Sequence, residues 1–211
     1  MITYLERVVP AAGDPPPGAD ESHPMRAVVR QVAFDPGGWT PERAAKVTAL
    51  FDGLASEWHT RAGEHRLEPV TDALERGGPL TPGTWLEIGS GIGLLTPYLA
   101  ARCSTLIAVD ISAEMLRRAP MQVGHRVRAD AARLPIPAGS VNAVVLVNAL
   151  LFPGETRRVL APDGAVVWVN SRGSGTPIHL PADDVAAALG DGWTGVAAEA
   201  GWGTWAVLRR G

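Results

Sequence analysis

The stretch Trp85-Leu86-Glu87-Ile88-Gly89-Ser90-Gly91-Ile92-Gly93 decides how this chain is read. An apolar run carries an acid near its end, three glycines alternate with other residues, and the helix-like segment Leu94-Leu95-Thr96-Pro97-Tyr98-Leu99-Ala100 follows. This is the pattern of a buried strand turning sharply into a helix. Glycines at such a bend leave bare backbone against which a ligand can lie. Glu87 stands at the carboxyl end of the strand, where a buried carboxylate is uncompensated unless a ligand's donors meet it. A nucleotide-type cofactor site is expected here.

A dinucleotide-binding turn reads G-x-G-x-x-G and places its third glycine at position 94, but that position is Leu94. The acids further along narrow the choice. Leu106-Ile107-Ala108-Val109-Asp110 is a second strand ending in a carboxylate, 19 residues after Gly91, where doubly wound sheets receive ribose hydroxyls. Arg128-Ala129-Asp130-Ala131 ends the next strand, offering a carboxylate to an adenine amino group and a backbone donor to a ring nitrogen. The run Val141 to Val147 ends in Asn148. Asp110 also suits a helix cap, although Ser112 already fills that position. Asp130 and Asn148 equally suit turns.

Outward from this centre, short apolar runs alternate with helical segments. Strands are expected near 84–88, 105–109, 125–129, 141–147, 165–170, 194–199 and 204–209, and helices near 92–102, 112–119, 153–160 and 181–189. The alternation predicts an α/β fold: a doubly wound, mostly parallel, seven-stranded sheet with helices on both faces. The short link Ala200-Gly201-Trp202-Gly203 makes the last pair an antiparallel hairpin.

Residues 1–80 read as an N-terminal linker and helical lid, and residues 81–211 as the Rossmann-like domain. Pro10, Gly13, Pro15, Pro16, Pro17, Gly18 and Pro24 mark an extended linker. Met25, Val28, Val29 and Val32 share one helical face, closed by Asp35-Pro36-Gly37-Gly38. Thr40-Pro41-Glu42 starts a second helix, along which Val47, Leu50, Phe51, Leu54 and Trp58 recur at helical spacing. A third runs from about Glu68 to Arg76 and stops at Gly77-Gly78.

In the order of these motifs the chain resembles the class I S-adenosylmethionine-dependent methyltransferases of small-molecule type, in detail over roughly residues 84–170 and in outline at the terminal hairpin. The resemblance implies S-adenosylmethionine as cofactor and S-adenosylhomocysteine as product. It places Gly89 and Gly91 at the methionine part, Glu87 and Ser90 among the cofactor-binding residues, and Asp110 on the ribose. Ile111 and Met115 fall beside the adenine, Asp130 and Ala131 at its edge, and Asn148 near the sulfonium. Phe51-Asp52-x-x-Ala55-x-x-Trp58-His59 looks like the element that many members fold over the cofactor. The connection Ala149 to Arg157 is shorter than in most members, which shortens one wall of the acceptor site.

The expected reaction is methyl transfer to a small molecule, foremost to a hydroxyl of a sugar or natural product. His59 and then His179 are the candidate bases, with Trp39, Trp58 and Asn148 toward the acceptor. N-methylation of a small amine, a nicotinamide-dependent oxidoreductase and a non-catalytic cofactor-binding module are the alternatives.

Composition narrows the partners. With net charge −3 and pI about 5.9, no overall field draws nucleic acid. Lys46 is the sole lysine, and the arginines are dispersed. Cys103 is the one cysteine, so no intrachain disulfide forms. His23, His59, His65, His125 and His179 show no metal-ligand spacing, and no metal is expected. Without an apolar leader or membrane-length run, the expectation is a cytoplasmic monomer or homodimer with no membrane partner.

Overall fold

The computed structural model describes residues 1–16, 20–35, 37–61, 66–120 and 122–211. Pro17, Gly18, Pro36 and His65, all read in the sequence above, lie outside the described residues. The chain begins with a short strand, β1 (Ile2–Tyr4), followed by four helices: α1 (Met25–Phe34), α2 (Pro41–Leu54), α3 (Trp58–Arg61) and α4 (Leu67–Arg76). The alternating part runs β2 (Thr84–Ile88), α5 (Thr96–Ala100), β3 (Thr105–Asp110), α6 (Ala113–Arg118), β4 (His125–Arg128) and β5 (Val141–Val147). It continues through α7 (Pro153–Val159), β6 (Leu160–Asn170), α8 (Ala182–Leu189), β7 (Trp193–Ala200) and β8 (Gly203–Arg210).

One sheet takes all the described strands, in the order β1-β7-β8-β6-β5-β2-β3-β4. Every pairing is parallel except those of β8, which runs antiparallel to both β6 and β7. The mostly parallel architecture with its terminal antiparallel hairpin is as expected, but the sheet has eight strands rather than seven. The extra strand is β1, which pairs parallel with β7 at one edge and buries Ile2. Three residues are too few for a period to show.

Side-chain alternation sorts the core into two layers. Leu86, Ile88, Val144, Leu146, Val166, Trp168, Ala206 and Leu208 face one way, against α7 and α8. Trp85, Ala143, Val145, Val167, Val169, Trp205 and Val207 face the other, against α4 and α5. The inner strands are therefore largely apolar on both faces, with Glu87 of β2 and Asn142 of β5 as polar exceptions, as a sheet covered on both sides requires. Asp72 of α4 is buried there, accepting from the Trp205 indole at 2.7 Å and from Arg76 at 3.0 Å.

Three boundaries differ notably from the sequence reading, the first being that the helix read through Trp58 ends at Leu54, with Trp58 opening the separate α3. The helix expected over 92–102 forms only over α5, because Gly93 takes a positive φ of 74° and the bend continues through Leu95. β6 begins at Leu160 rather than 165, absorbing Ala161-Pro162-Asp163-Gly164 through an irregularity: Val141 pairs with Leu160, but Ala143 pairs with Ala165.

Candidate functional site

The carboxyl ends of β2, β3, β4 and β5 open into one cleft, with α1 to α3 and the segments joining them on its other side. Ligands bind at this edge of open α/β sheets. The cleft's interior volume is about 120 Å³, below the ~300–1,000 Å³ usual for small-molecule sites. Glu87, Gly89, Ser90, Gly91, Asp110, Ile111, Met115, Asp130, Ala131 and Asn148 all line it, as do Trp39 and Trp58 from the lid.

The bend is built by backbone conformation. Gly89 and Gly91 have φ of 71° and 57°, a region that penalises any Cβ. A Cβ at Gly89 would stand 2.9 Å from that of Ala149, and one at Gly91 would press on the Trp58 indole at 3.4 Å. The Gly91 amide donates to Asp110 Oδ2 at 2.8 Å and the Ser112 amide donates to Oδ1 at 2.8 Å. Two backbone donors thus fix the Asp110 carboxylate at the cleft wall, and burial still raises its pKa. Ser112 meanwhile caps α6, its hydroxyl accepting from the Met115 amide.

Glu87 is 4% exposed. Burial pushes its carboxyl up to about 7, opposed by the Thr96 hydroxyl that donates to it at 2.6 Å and reinforced by nearby Asp110. Asn148 is the one described non-glycine residue with positive φ, 51°. It forms a reciprocal pair with Ser171 at the end of β6, donating from Nδ2 at 2.7 Å and accepting from the Ser171 amide at 2.8 Å.

The helical segments before Thr84 are tied to the rest of the fold at named points. Asp52 of α2 accepts from the Ser112 hydroxyl and from the Glu114 amide at 3.2 Å, and the former bond holds its pKa down. The Trp39 indole donates to both oxygens of Asp130, at 3.0 and 2.8 Å, and meets Phe152 edge to face at 5.2 Å. Asp130 also accepts from the Ala132 amide at 2.9 Å. The lid tryptophan therefore already engages the carboxylate read as an adenine partner. Phe51 and Trp58 meet edge to face at 5.6 Å.

The structure does not bring the two histidines to the cleft. His59 is exposed on α3; Trp58 faces inward, and the next residue on a helix points about 100° away. His179 lines a separate cavity with Tyr4, Trp168 and Trp205, where burial draws its imidazole down to about 4. Ile178 takes the cleft side instead.

Sequence reasoning missed Arg66, which lines the cleft directly before α4. No motif surrounds it, and an arginine at a helix start gives no signal. Among the described residues, no group of three or more His, Cys, Asp or Glu side chains is arranged to hold a metal, and no helix is long and apolar enough to cross a membrane.

Comparison with known proteins agrees with this geometry. Residues 86–168 match the family described as "Methyltransferase domain". The biotin biosynthesis bifunctional protein BioHC of Cellvibrio japonicus is 35% identical over 145 residues, covering 64% of this chain and 27% of that protein. The uncharacterized methyltransferase Mb0092 of Mycobacterium bovis is 36% identical over 93 residues, 42% of this chain and 47% of that one. The chain thus spans less than half the length of either relative. Among solved structures, the DhpI–SAH complex superposes with a TM-score of 0.60 over 78% of this chain and 95% of that chain, at 22% identity. Residues 86–168 thus match a methyltransferase-domain family, and the chain has the fold seen in the DhpI–SAH complex.

Proposed function

We propose that this chain transfers a methyl group from S-adenosylmethionine to an oxygen atom of a small-molecule acceptor. The observation that carries the donor half is the convergence of Glu87, Asp110 and Asp130 on one cleft beside the Gly89–Gly91 bend. These residues suit the donor. Glu87 is a buried carboxylate with lone pairs to spare for an amino group, and Asp110 is oriented by backbone donors with acceptor capacity left for two hydroxyls. The methyltransferase domain match and the SAH bound to DhpI support the same choice.

When bound, S-adenosylmethionine supplies a methyl group already activated by a positively charged sulfur. The protein's task is then alignment, which supplies roughly 7–11 kcal/mol of a barrier in favourable cases. Asp110 receives the ribose, Ile111 and Met115 flank the base, and Asp130 with the Ala131 amide meets its edge once the Trp39 indole yields. Asn148, held rigid by Ser171, faces the acceptor side. Trp39, Phe51, Trp58 and Phe152 exclude water from the reacting centre.

The acceptor half rests on the cleft's lining, which includes no described histidine. His59 serves as a base only if α3 turns about its axis, and His179 only if its loop reverses. An acceptor oxygen that ionises readily, such as a phenol or carboxylic acid, needs neither movement. A cytoplasmic setting agrees with the single, half-buried Cys103.

The test is a labelled methyl donor offered with phenols, carboxylic acids, sugars and amines. Label on an oxygen acceptor is expected. Label confined to amines would replace O- with N-methylation, and donor binding without any labelled product would make the chain a binding module.

A further inference from the structure

The described charged residues lining the cleft are three acids, Glu87, Asp110 and Asp130, and one cation, Arg66. The acids have their place in the donor reading, whereas Arg66 has none. It is 9% exposed, and its Nε is buried with no hydrogen-bond partner. Its guanidinium lies over the Trp58 ring at 5.7 Å. A cation stripped of water is costly unless an anion compensates it, and ring contact replaces only a fraction of that loss.

Its surroundings sharpen the deficit. Arg66 immediately precedes α4, whose N-terminus carries partial positive charge. The positive charge of Arg172 adds to burial in lowering the Arg66 pKa, to about 10, which leaves it charged at neutral pH. Guanidinium, helix terminus and neighbouring arginine all favour negative charge at this one point. A planar fork of donors beside an aromatic face matches a carboxylate, which it grips through two parallel hydrogen bonds.

We propose that Arg66 is the carboxylate-binding residue of this cleft, pairing with an acid group of a bound ligand beside Trp58. The inference rests on the cleft being a methyl-donor site, and the carboxylate belongs either to the amino-acid end of the donor or to an acidic acceptor. Both sources present the same chemistry to Arg66.

Calorimetry on the full chain separates them with three probes: S-adenosylhomocysteine, 5′-methylthioadenosine, which lacks the amino-acid end, and benzoate with benzamide as its neutral control. Arg66→Met is expected to weaken one acid-bearing probe about 10- to 150-fold, the loss of a charge-assisted pair. 5′-Methylthioadenosine binding should stay unchanged, which also reports an intact fold. Loss for S-adenosylhomocysteine assigns the site to the donor, and loss for benzoate alone assigns it to the acceptor. Arg66→Lys should recover part of the loss, since it restores charge without the fork. Unchanged binding of both acids, or equal weakening of 5′-methylthioadenosine, would overturn the proposal. If the native chain binds neither nucleoside but holds benzoate through Arg66, the donor reading fails and the carboxylate site stands. If it binds none of the three, both fall.

Discussion

Glu87 shows what a buried carboxylate at the cleft costs the fold. Its carboxyl is raised to about 7 by burial, whereas an exposed glutamate titrates near 4.3. Below about pH 4 both the folded and unfolded states are protonated, and the group has no effect on stability. As pH rises toward 7 the unfolded chain ionises first, so the folded state loses ground, and above 7 the full penalty persists. That penalty is on the order of 3 kcal/mol. Glu87→Gln should therefore stabilise the ligand-free protein at pH 8 and leave it unchanged near pH 4, as read by denaturant unfolding. Equal stability of the two proteins at pH 8 would show that the carboxylate is solvated. Trp39 poses a second question at this scale, because its indole holds Asp130, the acceptor proposed for the adenine edge. Trp39→Phe keeps the ring and deletes the competing donor, so nucleoside binding should tighten roughly 2- to 10-fold. Weaker binding in calorimetry would instead make Trp39 a ligand contact.

At the scale of elements, the sequence made the strand ends legible and left the lid contacts hidden. Glu87, Asp110 and Asn148 stand at or near the ends of apolar runs and Asp130 follows the polar edge strand His125–Arg128, so their common edge is a consequence of parallel topology. β1 was not legible, since Ile2–Tyr4, although made of strand-favouring residues, is too short for an alternation to show. The side on which a histidine next to a tryptophan points was equally hidden, because it depends on how α3 rotates. Arg66 lies before a helix whose apolar face the sequence did show, but its burial depends on the Trp58 ring. Asp52 is another such contact. It joins α2 to the first turn of α6 and so couples the lid to the helix that follows Asp110. Asp52→Ala should cost about 0.5–1.5 kcal/mol, and amide exchange should accelerate across residues 41–54 more than across β5. Uniform exchange in both elements would show that the lid is held by its apolar contacts alone.

The whole molecule is a sheet filled on both faces, with a cleft where the described strand ends meet the segments before Thr84. The alternating part of the chain was readable from period and punctuation, because β5 and β6 are long, apolar and covered on both sides. What could not be read is how the segments before Thr84 arrange themselves over that opening. In the proposed reading those segments select the acceptor and the strand ends select the donor. The donor assignment depends on Asp110 more than on any other side chain. The measurement that addresses it most directly is calorimetric titration of S-adenosylhomocysteine into the native chain and into Asp110→Ala. Saturable one-site binding to the native chain, weakened about 10- to 150-fold in the variant, is the predicted result. Equal affinity in the two proteins, or no binding to the native chain, would contradict it.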